Sequence, residues 1–231
     1  MPLTEGFQMI FKTELHAHCA PQSRCAHADV NVLVERFAGA GYSTVVLTNH
    51  VSPWNFALRE GISWQENVEF ILQGYEMLKE AAGERLHVLL GAEMRSREND
   101  NDYLVFGLTE EKLRSLPCVY EMPLRQLTDL LHEMDCLVYQ AHPFRFGIMI
   151  TDPVRAGLDG IETYNSHKNH DSHNELAERW AEMMGLPRVS GSDFHDPEGY
   201  IGGGIRTEYV IDSMDSLMRT LRQNSYTLIK E

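Results

Sequence analysis

The feature that most constrains this chain is a recurrence of short apolar runs, each breaking off at histidine or a carboxylate. Phe7, Met9, Ile10 and Phe11 lead into Glu14-Leu15-His16-Ala17-His18, and Thr44-Val45-Val46-Leu47 leads into His50. His87-Val88-Leu89-Leu90 leads into Glu93, Cys136-Leu137-Val138-Tyr139 into His142, and Pro187-Arg188-Val189-Ser190 into Asp193 and His195. Runs of this length bounded by polar residues read as strands. Side chains alternate faces along a strand, so His16 and His18 point the same way. Imidazoles and carboxylates gathered at strand ends pack poorly as core but make a good metal site.

Helix signals fall between these runs. Asp29 caps a helix running to about Ala40, with Gly41 as its stop. Ser63 and Glu66 form a capping box, followed by Trp64, Val68, Ile71, Tyr75 and Leu78 at helical spacing up to Gly83. Pro123 opens a helix over 124–134. Ser172 and Glu175 read as a second capping box for a helix ending at Met184. Further strands are expected at 103–106, 160–164, 208–211 and 226–229, with a helix over 215–221. Val51–Ile62, with Pro53 and Trp54, reads as a loop that could cover the site, and Gly202-Gly203-Gly204 as a tight loop at its rim. Strand and helix alternate as in βα units, and the candidate ligands follow strands, where α/β barrels build their sites. The 231 residues suffice for one such domain over 1–231.

Composition removes several classes. No apolar run approaches the roughly 20 residues a membrane helix needs, and the start of the chain lacks a basic region followed by an apolar stretch. A cytoplasmic protein is the expectation. The formal net charge of -14 gives no basic footprint for duplex nucleic acid. Cys19, Cys25, Cys118 and Cys136 form no Cys-x-x-Cys pair and read as free thiols. No Gly-x-Ser-x-Gly elbow is present to support a serine hydrolase.

What remains is metal chemistry. His16, His18, His50, Glu93, His142, Asp193 and His195 offer nitrogen and oxygen donors suited to Zn²⁺, Mn²⁺ or Fe²⁺. A carboxylate such as Glu93 can bridge two cations. Two metals about 3.5–4 Å apart activate water for in-line attack and neutralise charge on phosphoryl oxygens, so phosphate ester hydrolysis is the natural reaction.

His16-Ala17-His18, Thr48-Asn49-His50, Gly91-Ala92-Glu93, Ala141-His142-Pro143 and Ser192-Asp193-Phe194-His195 occur in the order of the motifs of the polymerase and histidinol phosphatase (PHP) family, and the chain resembles that family over nearly its whole length. The resemblance implies a distorted (β/α)7 TIM-like barrel, two or three divalent metal ions, and phosphoesterase activity. It implies a first metal position on His16, His18, Glu93 and Asp193, a second on Glu93 and His142, and a third on His50 and His195. Two family ligands have no direct match. His27 is a shifted candidate for one. Asp102, Tyr103 or Glu162 are candidates to replace missing ligands. Asn49 stands where the family has an aspartate.

Around this centre, Arg145 and Arg24 are candidate phosphate ligands because arginine holds phosphate bidentately, with Arg95 and Arg97 as further candidates. Tyr164 and Asn165 follow a strand and could line the pocket. His167, His170 and His173 read as a solvated polar loop. The leaving group would take its proton from His195 or from water on the metal. The expected function is a metal-dependent phosphoesterase acting on a small phosphorylated metabolite or nucleotide. A noncatalytic metal- or ligand-binding module and a barrel amidohydrolase are the alternatives.

Overall fold

The computed structural model describes residues 9–145 and 151–231. The first strand, β1 (Phe11–Ala17), starts later than the apolar run suggests. Met9 and Ile10 are exposed, and Phe7 lies outside the described residues. Helix α1 (Val30–Gly39) carries the expected cap, with the Asp29 carboxylate accepting from the amides of Asn31 and Val32. Then follow β2 (Tyr42–Leu47), β3 (His50–Val51), the single turn α2 (Pro53–Phe56) and α3 (Trp64–Ala82), whose Ser63–Glu66 capping box is complete. The stretch read as a covering loop is therefore partly strand and helix: Ser52 caps α2 and Pro53 occupies its first turn.

β4 (His87–Leu90) stops at Gly91, and β5 (Ala92–Arg95) carries Glu93 inside it. After β6 (Asp102–Phe106) come α4 (Glu110–Ser115), which the sequence reading did not identify, and α5 (Leu124–Glu133). Next are β7 (Leu137–Gln140), α6 (Pro153–Ala156), β8 (Gly160–Asn165), α7 (Asn174–Met184) and β9 (Arg188–Gly191). The chain ends with β10 (Ile205–Thr207), α8 (Met214–Gln223) and β11 (Thr227–Leu228).

Two local expectations are corrected. The cap of α7 is His173 at φ 48°, with no side-chain cap bond, so Ser172 and Glu175 do not form a capping box. Asn174 instead ties the helix start to β8: its Oδ1 accepts from the Asn165 amide at 3.0 Å and its Nδ2 donates to the Asn165 carbonyl at 3.1 Å. The tail strand is Ile205–Thr207, paired antiparallel with β1, and not 208–211.

The strands form two sheets, ordered β11-β10-β1-β2-β4 and β3-β5-β6-β7-β8-β9. The fold is mixed α/β, as expected, but the strands do not make one continuous parallel ladder. β6 runs antiparallel to both β5 and β7. The chain crosses between the sheets at Gly91, whose amide donates to the Leu47 carbonyl at 2.9 Å. The other edges meet at an isolated parallel bridge between Ala17 and Phe194. Leu15, Val46 and Leu89 of the first sheet share one buried cluster with Leu104, Leu137, Tyr139 and Val189 of the second, joined by Leu217 and Leu221 of α8. Both sheets thus turn a face inward onto a common core, while α1 and α3–α5 cover the outside.

Glycine is required where the sheets touch. A Cβ on Gly191 would lie 2.3 Å from His16 Cβ and 2.6 Å from Glu162 Oε1. One on Gly203 would lie 2.0 Å from the Gly191 carbonyl carbon. The glycine triplet is therefore buried packing against the end of β9, not a loop at the site rim.

Candidate metal centre

The parallel strands deliver their side chains to one end of the two sheets. β1 carries His16 near its end and is followed by His18, β3 begins with His50, β7 is followed by His142, and β9 by Asp193 and His195. Glu93 comes from within β5. One ligand atom from each of His16, His18, Glu93 and Asp193 lies within 4.8 Å of the other three.

The spacing inside this group is informative. His16 Nε2 lies 3.3 Å from both Glu93 Oε2 and Asp193 Oδ1. His18 Nε2 lies 3.2 and 3.3 Å from the same two oxygens. All four atoms are buried, and none has a hydrogen-bond partner. Unsatisfied buried polar atoms are rare because each costs about 1–3 kcal/mol. Four of them converging on one point, with the donor chemistry of imidazole and carboxylate, fit a divalent cation.

The atoms behind this group are paired. Glu162 Oε1 accepts from His16 Nδ1 at 2.8 Å, and Glu162 Oε2 accepts from the His142 amide at 2.9 Å and from Asn165 Nδ2 at 3.1 Å. Asn165 Nδ2 also donates to Asp193 Oδ2 at 3.2 Å, leaving Oδ1 for the centre. His18 Nδ1 pairs with Ser23 Oγ at 3.2 Å. Such outer contacts fix the tautomer and aim of a ligating ring. His142 and Asp193 hold positive φ values of 24° and 50°, a strained backbone of the kind found at functional positions.

Around the four, His50 Nδ1 lies 2.8 Å and His142 Nε2 3.0 Å from the two oxygens of Glu93. His195 donates through Nδ1 to the Asp193 carbonyl at 2.9 Å and stacks on His18 at 4.2 Å. Burial opposes charge on His16, yet Asp193, Glu162 and Glu93 together hold its pKa well above the ordinary value. Burial likewise opposes charge on Glu93 and Asp193, but the surrounding imidazoles, led by His50 for Glu93 and His16 for Asp193, keep both well below the usual range. Burial and the neighbouring His18 push His195 well below its ordinary value.

The other sequence candidates separate. Arg145 lines the cleft over the centre, with Nη1 3.4 Å from His142 Nε2. Arg24 is not brought to the centre: its guanidinium lies over the Trp54 ring at 4.9 Å. His27 turns its exposed ring to Asp196 at 2.7 Å. Arg95 lines the cleft and Arg97 is exposed away from it. Tyr103 buries its ring in the outer core, its hydroxyl 2.7 Å from Thr151. Tyr164 bonds the Glu231 carbonyl at 2.6 Å. Asn49 accepts from the Cys19 amide and Ser23 hydroxyl at 2.9 Å each, so it holds the loop after β1 and not the His50 ring.

Two residues escaped the sequence reading. His167 is not a solvated loop residue; its Nδ1 bonds the Asp193 carbonyl at 2.8 Å, and its ring meets His195 edge-on. Glu14 is fully buried and accepts from the amides of Leu15, His16 and Ser192 and from the Ser192 hydroxyl. It ties β1 to the segment carrying Asp193. Burial raises its pKa to about 7, against the pull of Ser192 and of His16. A carboxylate in mid-strand, two residues before His16, is the signal that could have marked it.

Comparison with known proteins bears on the fold. The PHP-associated family model matches residues 171–226. A two-domain Bacteroides vulgatus protein containing a predicted PHP-like metal-dependent phosphoesterase superposes with a TM-score of 0.69 at 13% identity, over 96% of this chain and 65% of that one. The fold is that of the PHP family. A lesion-specific endonuclease from Pyrococcus furiosus superposes with a TM-score of 0.65 at 14% identity, over 95% of this chain and 58% of that one. An amidohydrolase from Chromobacterium violaceum gives 0.54 at 14% identity, over 95% and 98%. The chain thus spans under two thirds of the length of the first two. Among curated proteins, no sequence matches it. Among the described residues, no helix is long and apolar enough to cross a membrane.

Proposed function

We propose that residues 1–231 act as a metal-dependent hydrolase of phosphate esters on a small phosphorylated metabolite or nucleotide. The observation that carries the reading is the convergence of four buried, unpartnered donor atoms from His16, His18, Glu93 and Asp193. These residues would hold the core cation, with His142, His50 and His195 serving neighbouring positions for a total of two or three ions of Zn²⁺, Mn²⁺ or Fe²⁺. Bound divalent cations supply Lewis-acid polarisation of a phosphoryl oxygen and a nucleophile from water at neutral pH.

The chain's own residues prepare that chemistry. Glu162 accepts a hydrogen bond from His16 Nδ1–H, which fixes the tautomer that leaves Nε2 as an electron-pair donor. The Asp193 carbonyl does the same for His195. Arg145 stands on the cleft wall, where its planar fork can hold non-bridging phosphate oxygens. The cleft encloses about 380 Å³, the size of a small-molecule site. The net charge of -14 argues against duplex nucleic acid as substrate. The four free cysteines fit a reducing, cytoplasmic setting.

The test is phosphate release from a panel of mono- and diesters, using metal-stripped protein reconstituted separately with Mn²⁺, Zn²⁺ and Fe²⁺. Metal-dependent turnover that is lost in His16→Ala and in Asp193→Ala is the expected result. The amidohydrolase with the same fold favours a second reading, C–N bond hydrolysis, and amide turnover without ester turnover would select it. Stoichiometric metal uptake with no turnover on either panel would mark a binding module.

A further inference from the structure

We infer that Trp54 is a stacking platform for a flat ring of the substrate, which narrows the substrate to a nucleoside phosphate. This rests on the phosphate-ester reading above. Trp54 lines the same cleft as His50, Asp193, His195 and Arg145. One bound molecule can therefore reach the centre with its phosphate and the indole with its other end. The indole is 47% exposed.

That exposure does not come from a loose loop. Pro53 sets the first turn of α2, and Ser52 Oγ accepts from the Asn55 amide at 3.2 Å. Asn55 is buried and both its side-chain polar atoms are used. Its Oδ1 accepts from the Arg24 amide at 2.7 Å, and its Nδ2 donates to the carbonyls of Gln22 at 2.8 Å and His50 at 2.7 Å. Phe56 enters the outer core. The two residues after Trp54 are thus anchored, and Asn55 ties the turn to the backbone of His50. An aromatic side chain on a fixed backbone loses little freedom when a ligand packs on it.

One side of the indole is already held. The Arg24 guanidinium lies 4.9 Å from the ring centroid, and its Nη1 donates to the Trp54 carbonyl at 3.3 Å. Among the described residues, Trp54 lines the cleft and Arg24 does not. The cation therefore backs the ring from outside and leaves its cleft side open. Leu58 and Ile62, the exposed apolar residues further along, do not line the cleft either, so Trp54 stands apart from them as a wall of the site. The remaining lining is polar: imidazoles, Arg95, Arg145, Asp102, Asn169 and Asp196 among them. The indole is the one broad apolar surface there, and a nucleobase is the substrate group that matches it. Stacking of this kind accepts every base, because each has a π-face.

The competing role for Trp54 is structural, as the seat of Arg24. Mn²⁺-loaded protein is titrated by calorimetry with the phosphonate analogues of adenosine 5′-monophosphate and of ribose 5-phosphate, whose P–C bond resists hydrolysis. Circular dichroism and bound manganese check that each variant is folded and loaded. The adenosine analogue is expected to bind at least about fivefold more tightly than the ribose analogue, the worth of one stacked base. Trp54→Ala should abolish that preference and Trp54→Phe should keep most of it. The adenosine analogue should also quench indole emission in wild type and not in Trp54→Phe, where Trp64 and Trp180 remain. The inference is overturned if wild type binds the two analogues within twofold of each other, or if Trp54→Ala weakens both equally. If neither analogue binds the metal-loaded protein, the phosphate-ester reading fails and this inference falls with it.

Discussion

Replacing Glu162 with glutamine tests whether the pairing behind His16 sets the centre. The carboxylate receives three donors: His16 Nδ1 on Oε1, and the His142 amide with Asn165 Nδ2 on Oε2. Glutamine has the same shape but only one oxygen, so its NH2 must face a donor either way it is turned. With the oxygen toward His16, the buried His142 amide loses its acceptor, at about 1–3 kcal/mol. With the oxygen toward His142, His16 must accept at Nδ1 and carry its proton on Nε2, the atom aimed at Glu93 and Asp193. That tautomer blocks a ligand. Loss of such outer partners weakens metal binding by about 10–100-fold, equivalent to about 1.4–2.7 kcal/mol. Calorimetric titration of metal-free protein with Mn²⁺ measures the loss, and ring ¹⁵N shifts of His16 report the tautomer. The reasoning fails if affinity stays within twofold of wild type, or if the metal-free variant unfolds while its residual folded fraction binds metal normally.

Three further outcomes follow from the charges on this site. His16, whose pKa is raised by its carboxylate neighbours despite burial, carries a proton in the metal-free protein below that raised value, so metal binding releases a proton and tightens as pH rises; calorimetry in buffers of different ionisation enthalpy reads the released proton, and no release would refute the assignment. Glu14 is raised from 4.5 to about 7 by burial, so its contribution to stability is fully present below pH 4.5 and is lost as pH rises to about 7, a change of about 3 kcal/mol. Urea unfolding of metal-free wild type and Glu14→Gln across that window should show the slope only in wild type. Arg145→Ala should lower kcat/KM about 10–100-fold, the worth of a charged hydrogen bond to substrate, with metal content unchanged; an effect under twofold on every ester turned over would remove Arg145 from phosphate binding.

The strands and the convergence of the candidate ligands were legible because both rest on local signals. An apolar run that ends in histidine or a carboxylate declares itself, and His16, His18, His50, Glu93, His142, Asp193 and His195 all arrive at one place. Direction was not legible. Nothing in Tyr103-Leu104-Val105-Phe106 says that this strand runs antiparallel, yet that reversal brings Asp102 to the ligand end. Long-range pairing also rewrote local propensity. Ser172 and Glu175 have capping-box spacing, but Asn174 bonds β8 and His173 takes the left-handed cap, so the local pattern loses to a tertiary contact. His167 looked like solvated loop because its partner, the Asp193 carbonyl, is 26 residues away. Arg24 looked like a phosphate ligand by proximity in sequence, and the exposed Trp54 ring takes its guanidinium instead.

The position of the centre relates its chemistry to the fold. His16 and His18 belong to the first sheet, His50 and Glu93 to the second, and Asp193 to the segment where the two edges meet. That meeting is thin: one bridge between Ala17 and Phe194, the amide of His18 donating to the Phe194 carbonyl at 2.9 Å, and that of Phe194 to the His16 carbonyl at 3.3 Å. Glu14 reinforces it from below through Ser192. Glu93, Asp193 and Glu162 crowd around His16 at this seam. A cation bound by groups from both sheets would neutralise that charge and cross-link the two edges together, so binding and closure of the fold draw on the same free energy. A ligand set confined to one sheet would leave the seam untouched. With donors on both sides, metal occupancy would be a determinant of fold stability as well as of the proposed reactivity.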